Sequence, residues 1–455
     1  MTDRARLLPL IQALASARVA VAGDVMLDIY VGGTVDRISP EAPIPVLRVE
    51  RETAMPGGAG NVARNVAALG ASARLTAAVG ADDAGRRLRE LIAAETRLTG
   101  ELVADPSRQT SIKTRYVGGR QQMLRTDRET VAPLGADARR RLIAGVRAAL
   151  ADCAVLVLSD YGKGALADGV AAQLIAEAKQ AKRAVVVDPK GRDWSPYAGA
   201  DVVTPNKREL AEAAGMDVAG DATVVAAGRA LIARHRLGAV LATLGADGMI
   251  LVRADGRHEH FRAEAREVFD VSGAGDTAVA ALSALLATGA SLADAALIAN
   301  VAAGIVVGKA GTAVVHGDEL AHALHHQDLM DAEAKILTRA QILERVRAWR
   351  AAKLRIGFTN GCFDLLHPGH VSLFAQARAA VLASLAAVDA VVVFAEDTPL
   401  TLIEALRPDL LVKGADYTRD NVVGGSLVEQ WGGRVLLAEI APGHSTSATI
   451  AKLAR

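Results

Sequence analysis

The chain has 455 residues, 51% of them hydrophobic and 3% aromatic, and its 52 Lys and Arg against 51 Asp and Glu leave a net charge of +1. That length supports two or three domains with real cores, and balanced charge without a basic stripe argues against a nucleic-acid partner. Only two cysteines, Cys153 and Cys362, are present, which excludes a disulfide framework and fits a reducing cytoplasm.

The opening segment, MTDRARLLPLIQALASARVAVAGD, has an apolar middle broken by Arg4, Arg6 and Arg18 and runs straight into a strand pattern. It is expected to be part of the fold and not a signal peptide. From there short β-branched runs alternate with longer Ala/Leu/Arg helical patterns. VAVAG (19–23), VLVLS (155–159), AVVVD (184–188), DVVT (201–204) and AVLATLG (239–245) read as strands. Such alternation predicts an α/β fold with right-handed crossovers, a mainly parallel sheet covered on both faces, and ligands at the strands' C-terminal ends. Residues 34–50, with three prolines, and 111–128, which alternate like a hairpin around Gly118 and Gly119, break the rhythm. They are expected as extra strands standing off the sheet edge, a lid or a dimer clasp.

Three loop-to-helix junctions carry chemistry. GGAGNVARNVAALG (57–70) puts Gly57, Gly58 and Asn61 at a helix start, suited to close approach of a sugar. TPNKREL (204–210) places Asn206 and Glu209 three apart after a strand, able to organise the water shell of Mg²⁺. In VSGAGDTAVAAL, Gly273 and Gly275 let backbone amides converge at a helix N-terminus, and Asp276 is placed to accept a proton from an attacking hydroxyl. Alone, GAGD is a glycine turn with an Asp cap; its weight comes from its company. The uncharged stretch 277–293 approaches membrane-spanning length but is rich in small residues, and reads as a buried helix.

Past His316 the chain turns polar and His-dotted, and ILERVRAWRAAK then reads as an amphipathic helix before the strand RIGFTN. The histidines lack Cys or carboxylate partners at regular spacing, so a solvated linker is expected there. Domains are placed at 1–318 and 353–455, with 319–352 as linker and helix.

The first set of motifs, in this order, resembles the ribokinase-like (PfkB) carbohydrate kinases over roughly residues 15–315. The resemblance implies Asp276 as catalytic base and Gly273, Ala274 and Gly275 as anion hole. It implies ATP held by Asn206, Lys207, Arg208, Glu209, Thr243, Gly245 and Gly248, with Asn206 and Glu209 reaching Mg²⁺ through water. The sugar would meet Asp24, Asp28, Gly57, Gly58 and Asn61. GDVMLDIY, DRISPEAPIPV, LSDYGKG and VDPKG further resemble bacterial kinases that phosphorylate D-glycero-D-manno-heptose 7-phosphate at C1. Lys113, Arg115 and Lys190 are candidates for a clamp on the sugar's own phosphate, and each also reads as a solvated surface cation.

FTNGCFDLLHPGH (358–370) brings His367 and His370 three apart at a helix start, and resembles the cytidylyltransferase-like nucleotidyltransferases. Those imidazoles would donate to an α-phosphate as pyrophosphate leaves; two histidines without a third ligand argue against a metal site. Thr359, Gly361 and Phe363, with Lys413 and Asp416 of LLVKGADYT and Ser445 and Thr446 of GHSTSATI, match the family's nucleotide segments. Kinase followed by transferase resembles the bifunctional heptose 7-phosphate kinase and heptose 1-phosphate adenylyltransferase family. That implies a cytoplasmic homodimer working on ATP and heptose phosphates, apart from membrane and nucleic acid, toward ADP-heptose for lipopolysaccharide core. One departure stands out. The chain runs as one helical pattern over 371–387 directly into the strand 390–394. The family has there a second strand, an N-S-D-type turn and a basic loop, so the transferase domain is expected to lack a βα unit near 378–388. Kinase activity with weak or absent adenylyl transfer follows.

Overall fold

The computed structural model describes residues 7–119, 121–263, 271–309, 311–324, 335–351, 353–360, 379, 382–383, 388–394, 396, 398–414, 418 and 421–438. The chain divides into two compact units, Arg6–Leu324 and, apart from the first five residues, His325–Arg455.

The first unit is built on strands β1 (Arg18–Gly23), β2 (Val25–Ile38), β3 (Pro45–Gly58), β4 (Ser72–Val79), β5 (Leu98–Ala104), β6 (Ser111–Gly118), β7 (Gln121–Arg128), β8 (Val155–Ser159), β9 (Ala184–Asp188), β10 (Val202–Val203), β11 (Ala239–Thr243), β12 (Met249–Arg253) and β13 (His258–Phe261). Nine of them form a sheet in the order β13-β12-β11-β10-β9-β8-β1-β4-β5. Every pairing from β11 to β5 is parallel, and β12 and β13 close one edge as an antiparallel hairpin. Alternation along single strands shows why both faces are covered. Val19 and Val21 of β1 enter one apolar core while Ala20 and Ala22 enter the other; Val155 and Val157 of β8 split from Leu156 and Leu158 in the same way. The sequence order reverses about β1, which pairs with β4 on one side and β8 on the other. The crevice beyond Gly23 and Ser159 is therefore where a ligand is expected to bind.

Strands β3-β2-β6-β7 form the second sheet, with the hairpin of β6 and β7 turning at Gly118 as the sequence suggested. The strands expected at 34–50 are longer than their prolines implied. β2 and β3 pair from Val25 and Gly58 out to Ile38 and Pro45. The inner ends are buried and the outer ends are exposed. The stretch 277–293 is two elements, the end of a buried helix Ala274–Ala287 and the start of Leu292–Val306. Among the described residues no helix is long and apolar enough to cross a membrane.

The expected linker 319–352 divides between the units. Leu320 and Leu324, in a helix over 317–324, are fully buried in the first unit's core, so its boundary lies later than 318. Helix Arg339–Ala351 buries Ile342 and Val346 against Ile356, Leu402 and Leu406 and is part of the second core. In that unit, β14 (Ile336–Leu337) pairs with β16 (Val391–Val392), while β15 (Gly357–Thr359), β17 (Leu410–Gly414) and β18 (Arg434–Ala438) make a separate parallel sheet. Phe358 of one piece and Val392 and Phe394 of the other join the same apolar cluster. Among the described residues, no hydrogen-bonded strand links the two pieces. The helical pattern expected over 371–387 lies mostly outside the described residues.

Candidate active site

The site is assembled where β1 and β8 end. A Cβ on Gly23 would stand 1.9 Å from the Ser159 carbonyl oxygen, so glycine is what lets the two strand ends meet. Asp24 follows, its amide on the Ser159 carbonyl at 3.1 Å. Its buried carboxylate accepts three backbone amides of the next loop, Tyr161 and Lys163 on Oδ2 at 2.9 Å each and Ala165 on Oδ1 at 3.0 Å. Asp24 was expected to hold the sugar. In the structure its oxygens accept from the 161–165 loop, which they fix in place.

That loop delivers Tyr161 to the proposed base. Helix Ala274–Ala287 starts from Gly273, whose φ of +82° is the left-handed region glycine favours, and Asp276 stands in its first turn. Asp276 Oδ1 accepts the Tyr161 hydroxyl at 2.7 Å, and Oδ2 accepts Asn61 Nδ2 at 2.7 Å. Asn61, the third residue of helix Ala59–Ala68, is fully buried. Asn65 Nδ2 donates to its backbone carbonyl at 3.0 Å, and Thr277 Oγ1 donates to Asn65 Oδ1 at 3.0 Å. Asn61, expected to face the sugar, gives one amide N–H to the carboxylate. Burial pushes Asp276 up to about 6, against the downward pull of Asn61, Tyr161 and Lys113 and with a further push from Asp28. Tyr161 was not among the expected site residues. Its motif LSDYGKG was visible, but nothing in its spacing says that it meets a residue 115 positions later.

The cavity of about 230 Å³ in front of Asp276 is walled by the ends of β8, β9 and β11 and by the Gly273–Gly275 turn. Asn206, Glu209 and Thr243 line it; Lys207, Arg208, Gly245 and Gly248 do not. Asn206 and Glu209 form a reciprocal capping box at the start of helix Lys207–Ala214, Asn206 Oδ1 accepting the Glu209 amide at 2.9 Å and Glu209 Oε2 the Asn206 amide at 3.1 Å. Arg208 points outward to Glu212 at 2.7 Å. Gly248 serves the hairpin turn, where a Cβ would lie 2.0 Å from the Phe261 carbonyl oxygen. Lys190 donates to Glu209 Oε1 at 2.9 Å. It therefore stands on the wall of Asn206 and Glu209, and it was expected as one of three candidates for the sugar's own phosphate. Asp188 also lines this wall, and burial, with Asp276 and Glu209 nearby, holds its carboxyl well above the usual range.

On the lid side Asp28, buried, accepts Arg115 Nη1 at 2.8 Å. A Cβ on Gly57 would fall 2.2 Å from Asp28 Oδ2, and one on Gly58, at φ +58°, 2.4 Å from the Asp24 carbonyl oxygen. Arg115 lies 5.1 Å over the Tyr30 ring, whose hydroxyl shares a 2.8 Å hydrogen bond with Thr312. Lys113, two residues earlier on the same strand face, lies 5.2 Å over the Tyr161 ring, and burial lowers its ammonium pKa. The structure thus brings Asp28, Lys113 and Arg115 together beside the Asp276 cluster.

In the second unit His367, His370, Gly361, Phe363, Asp416, Ser445 and Thr446 lie outside the described residues. Thr359 and Lys413 are brought onto paired strands, and Lys413 Nζ donates to the Asn360 carbonyl at 3.2 Å.

Residues 16–316 match the family described as pfkB family carbohydrate kinase. A protein named Bifunctional protein HldE from Paramagnetospirillum magneticum is 53% identical over all of this chain and 99% of its own length. Its namesake from Rhodospirillum rubrum is 52% identical over 98% of this chain and 96% of its own. The first of these alignments spans 485 positions against the chain's 455 residues, so about 30 positions of that relative have no counterpart here. Among solved structures, phosphofructokinase-2 from Escherichia coli in complex with potassium shares the fold at a TM-score of 0.58 and 23% identity, over 68% of this chain and 98% of its own.

Proposed function

The chain belongs to the pfkB carbohydrate kinases and, over its whole length, to the bifunctional HldE family, and from that premise we propose how its two units work. The enzyme is a kinase and nucleotidyltransferase of ADP-heptose biosynthesis. Its kinase unit transfers the γ-phosphoryl group of ATP to C1 of D-glycero-β-D-manno-heptose 7-phosphate. The observation that carries this reading is Asp276, held by Asn61 and Tyr161 at the mouth of a helix N-terminus and facing the cavity.

In the transfer, Asp276 takes the proton of the C1 hydroxyl as its oxygen bonds to the γ-phosphorus and the bond to ADP breaks. The amides of the Gly273–Gly275 turn and the helix dipole face the charge that spreads over the phosphoryl oxygens. Lys113 and Arg115 are assigned to the 7-phosphate. Arg115 is balanced by Asp28, whereas burial of Lys113 favours an anionic partner. Mg²⁺ fits the opposite wall. Hard oxygens stand there, and a cation would offset the burial and carboxylate crowding that raise the Asp188 carboxyl well above its usual range. Asn206 and Glu209 spend their side-chain bonds on the helix cap and on Lys190, so they and Asp188 would hold the ion through water. Bound there, it supplies charge neutralisation to the ATP phosphates.

For the second unit the reading is a transferase that lacks its central βα unit. Among the described residues β14-β16 and β15-β17-β18 form separate sheets, and this chain is about 30 positions shorter than its alignment with the 53% identical relative; both support the reading. A strand between β15 and β16 would join the pieces into one parallel sheet, and its following loop would supply cations for a triphosphate. Without it, adenylyl transfer to heptose 1-phosphate is expected to be weak or absent, although the family is bifunctional.

We also assign a homodimer through the lid sheet, whose outer half exposes Val35, Ile38, Ile44, Val49 and Leu124. The cytoplasm, where ATP is abundant, is the assigned location. The test of both activities is phosphorus NMR of the purified protein with Mg·ATP and each heptose phosphate in turn. The 1,7-bisphosphate is expected from the first, and neither pyrophosphate nor ADP-heptose from the second. Absence of bisphosphate overturns the kinase reading; ADP-heptose at a useful rate overturns the transferase reading.

A further inference from the structure

We infer that Tyr161 is a positioning residue for the kinase reaction, orienting the Asp276 carboxylate and holding it ionised through its phenolic hydrogen bond. The inference rests on the kinase reading of this site and deepens it. Three contacts fix Tyr161 and leave its hydroxyl one direction. Its backbone amide is on Asp24 Oδ2 at 2.9 Å, its ring lies under the Lys113 ammonium at 5.2 Å, and its hydroxyl donates to Asp276 Oδ1 at 2.7 Å. Asn61 supplies the second donor on Oδ2. The carboxylate plane is thereby held from both ends, and one lone pair on each oxygen stays available for a sugar hydroxyl.

The chemistry of the contact follows from what faces it. From the lid come Asp28 and Lys113; from the end of β9, Asp188 and Lys190; from Tyr161's own loop, Asp160 and Lys163; from helix Lys207–Ala214, Glu209. Burial and the neighbouring carboxylates drive Asp276 toward its protonated form, which is useless as a base. A neutral donor opposes them without adding a charge that the incoming triphosphate would meet. A phenol does this better than an alcohol, because it is the more acidic donor, and a cation over its ring face strengthens it further. Phenol ionisation is not part of the role: burial and the adjacent Asp276 charge hold the Tyr161 hydroxyl well above its ordinary value, so it remains a donor throughout the working range.

The experiment is the pH dependence of kcat for bisphosphate formation by the full chain, parent against Tyr161→Phe, with KM for ATP and heptose 7-phosphate measured at each pH. Loss of the hydrogen bond is expected to move the acid limb up by about one pH unit, so that kcat falls about fivefold more at pH 6 than at pH 8, with KM values within about twofold of the parent. Placing 3-fluorotyrosine at position 161, a more acidic phenol of nearly the same shape, is expected to move the limb the other way, and this arm reads out even where the Phe variant folds poorly. An unmoved limb in both variants overturns the inference. So does a rise in KM at unchanged kcat, which would make Tyr161 a substrate contact. A parent protein that makes no bisphosphate at any pH overturns the kinase reading itself, a different failure.

Discussion

Asn61 and Asp276 stand 215 positions apart in sequence and meet through a 2.7 Å hydrogen bond from Nδ2 to Oδ2, with Asn61 wholly buried. An amide given to a carboxylate in the interior does two things. It satisfies a group that burial penalises, and it aims that group. Asn61→Ala should therefore cost about 2 kcal/mol of stability and lower kcat, leaving the KM for ATP nearly unchanged. Chemical denaturation and steady-state kinetics check both. Asn61→Asp should be worse for catalysis, because a second carboxylate beside Asp276 keeps one proton between them.

Asp276→Asn should lower bisphosphate formation by at least about a hundredfold while nucleotide still binds, read by single-turnover kinetics and ATP titration.

The same variant should be the more stable protein at alkaline pH. Asp276 has its carboxyl pushed up to about 6, from 3.8 for the free side chain. Between those values the folded state binds the extra proton, so stability falls as pH rises from about 4 through 6, by about 3 kcal/mol in total, and then stays level. An Asn at 276 can accept from Asn61 and donate to the Tyr161 oxygen, so both contacts survive without the buried charge. Its melting temperature should exceed the parent's at pH 8, with the advantage gone at pH 4. The kinase acid limb should likewise fall near pH 6 in the parent, activity being lost below it as the base takes a proton.

Gly57→Ala should disrupt the site from the lid side. The new Cβ would lie 2.2 Å from Asp28 Oδ2, and Asp28 is held by Arg115. Displacing that ion pair from a buried position should cost about 3 kcal/mol or more and most of the kinase activity, measured by thermal melts and turnover. Gly70→Ala is the contrast. Its positive φ strains an alanine, but no atom lies within 4 Å of the added carbon, so the loss should be about 1 kcal/mol with kinetics intact.

Insertion into the 378–388 region of a βα unit of about 30 residues, the excess of the Paramagnetospirillum alignment over this chain, should restore pyrophosphate release with heptose 1-phosphate. Kinase turnover should not change. If the insertion leaves transfer absent while the unit melts cooperatively, the missing strand is not what limits it.

Local chemistry legible in the sequence was enough for much of this molecule. Strands buried on both faces must read as continuous apolar runs, and VLVLS and AVVVD do; glycines ahead of helix starts mark close approaches or positive φ, as Gly57 against Asp28, Gly58 against the Asp24 carbonyl and Gly273 at φ +82° show. The expectation of a shortened second domain is likewise a reading of local pattern, because a parallel strand needs its own apolar run and none lies between the helical pattern and Val391. Partner choice was not readable. Asp24, Asn61 and Lys190 have the residue types for a sugar site, but where each side chain spends its hydrogen bonds depends on which strand ends adjoin. Gly23 against Ser159 turns Asp24 into a loop anchor, and that anchor carries Tyr161 to Asp276. Sequence determines which groups can donate, accept or carry charge; only the reversal of strand order about β1 decides which of them meet, because the crossovers on its two sides bring together residues that no local spacing connects.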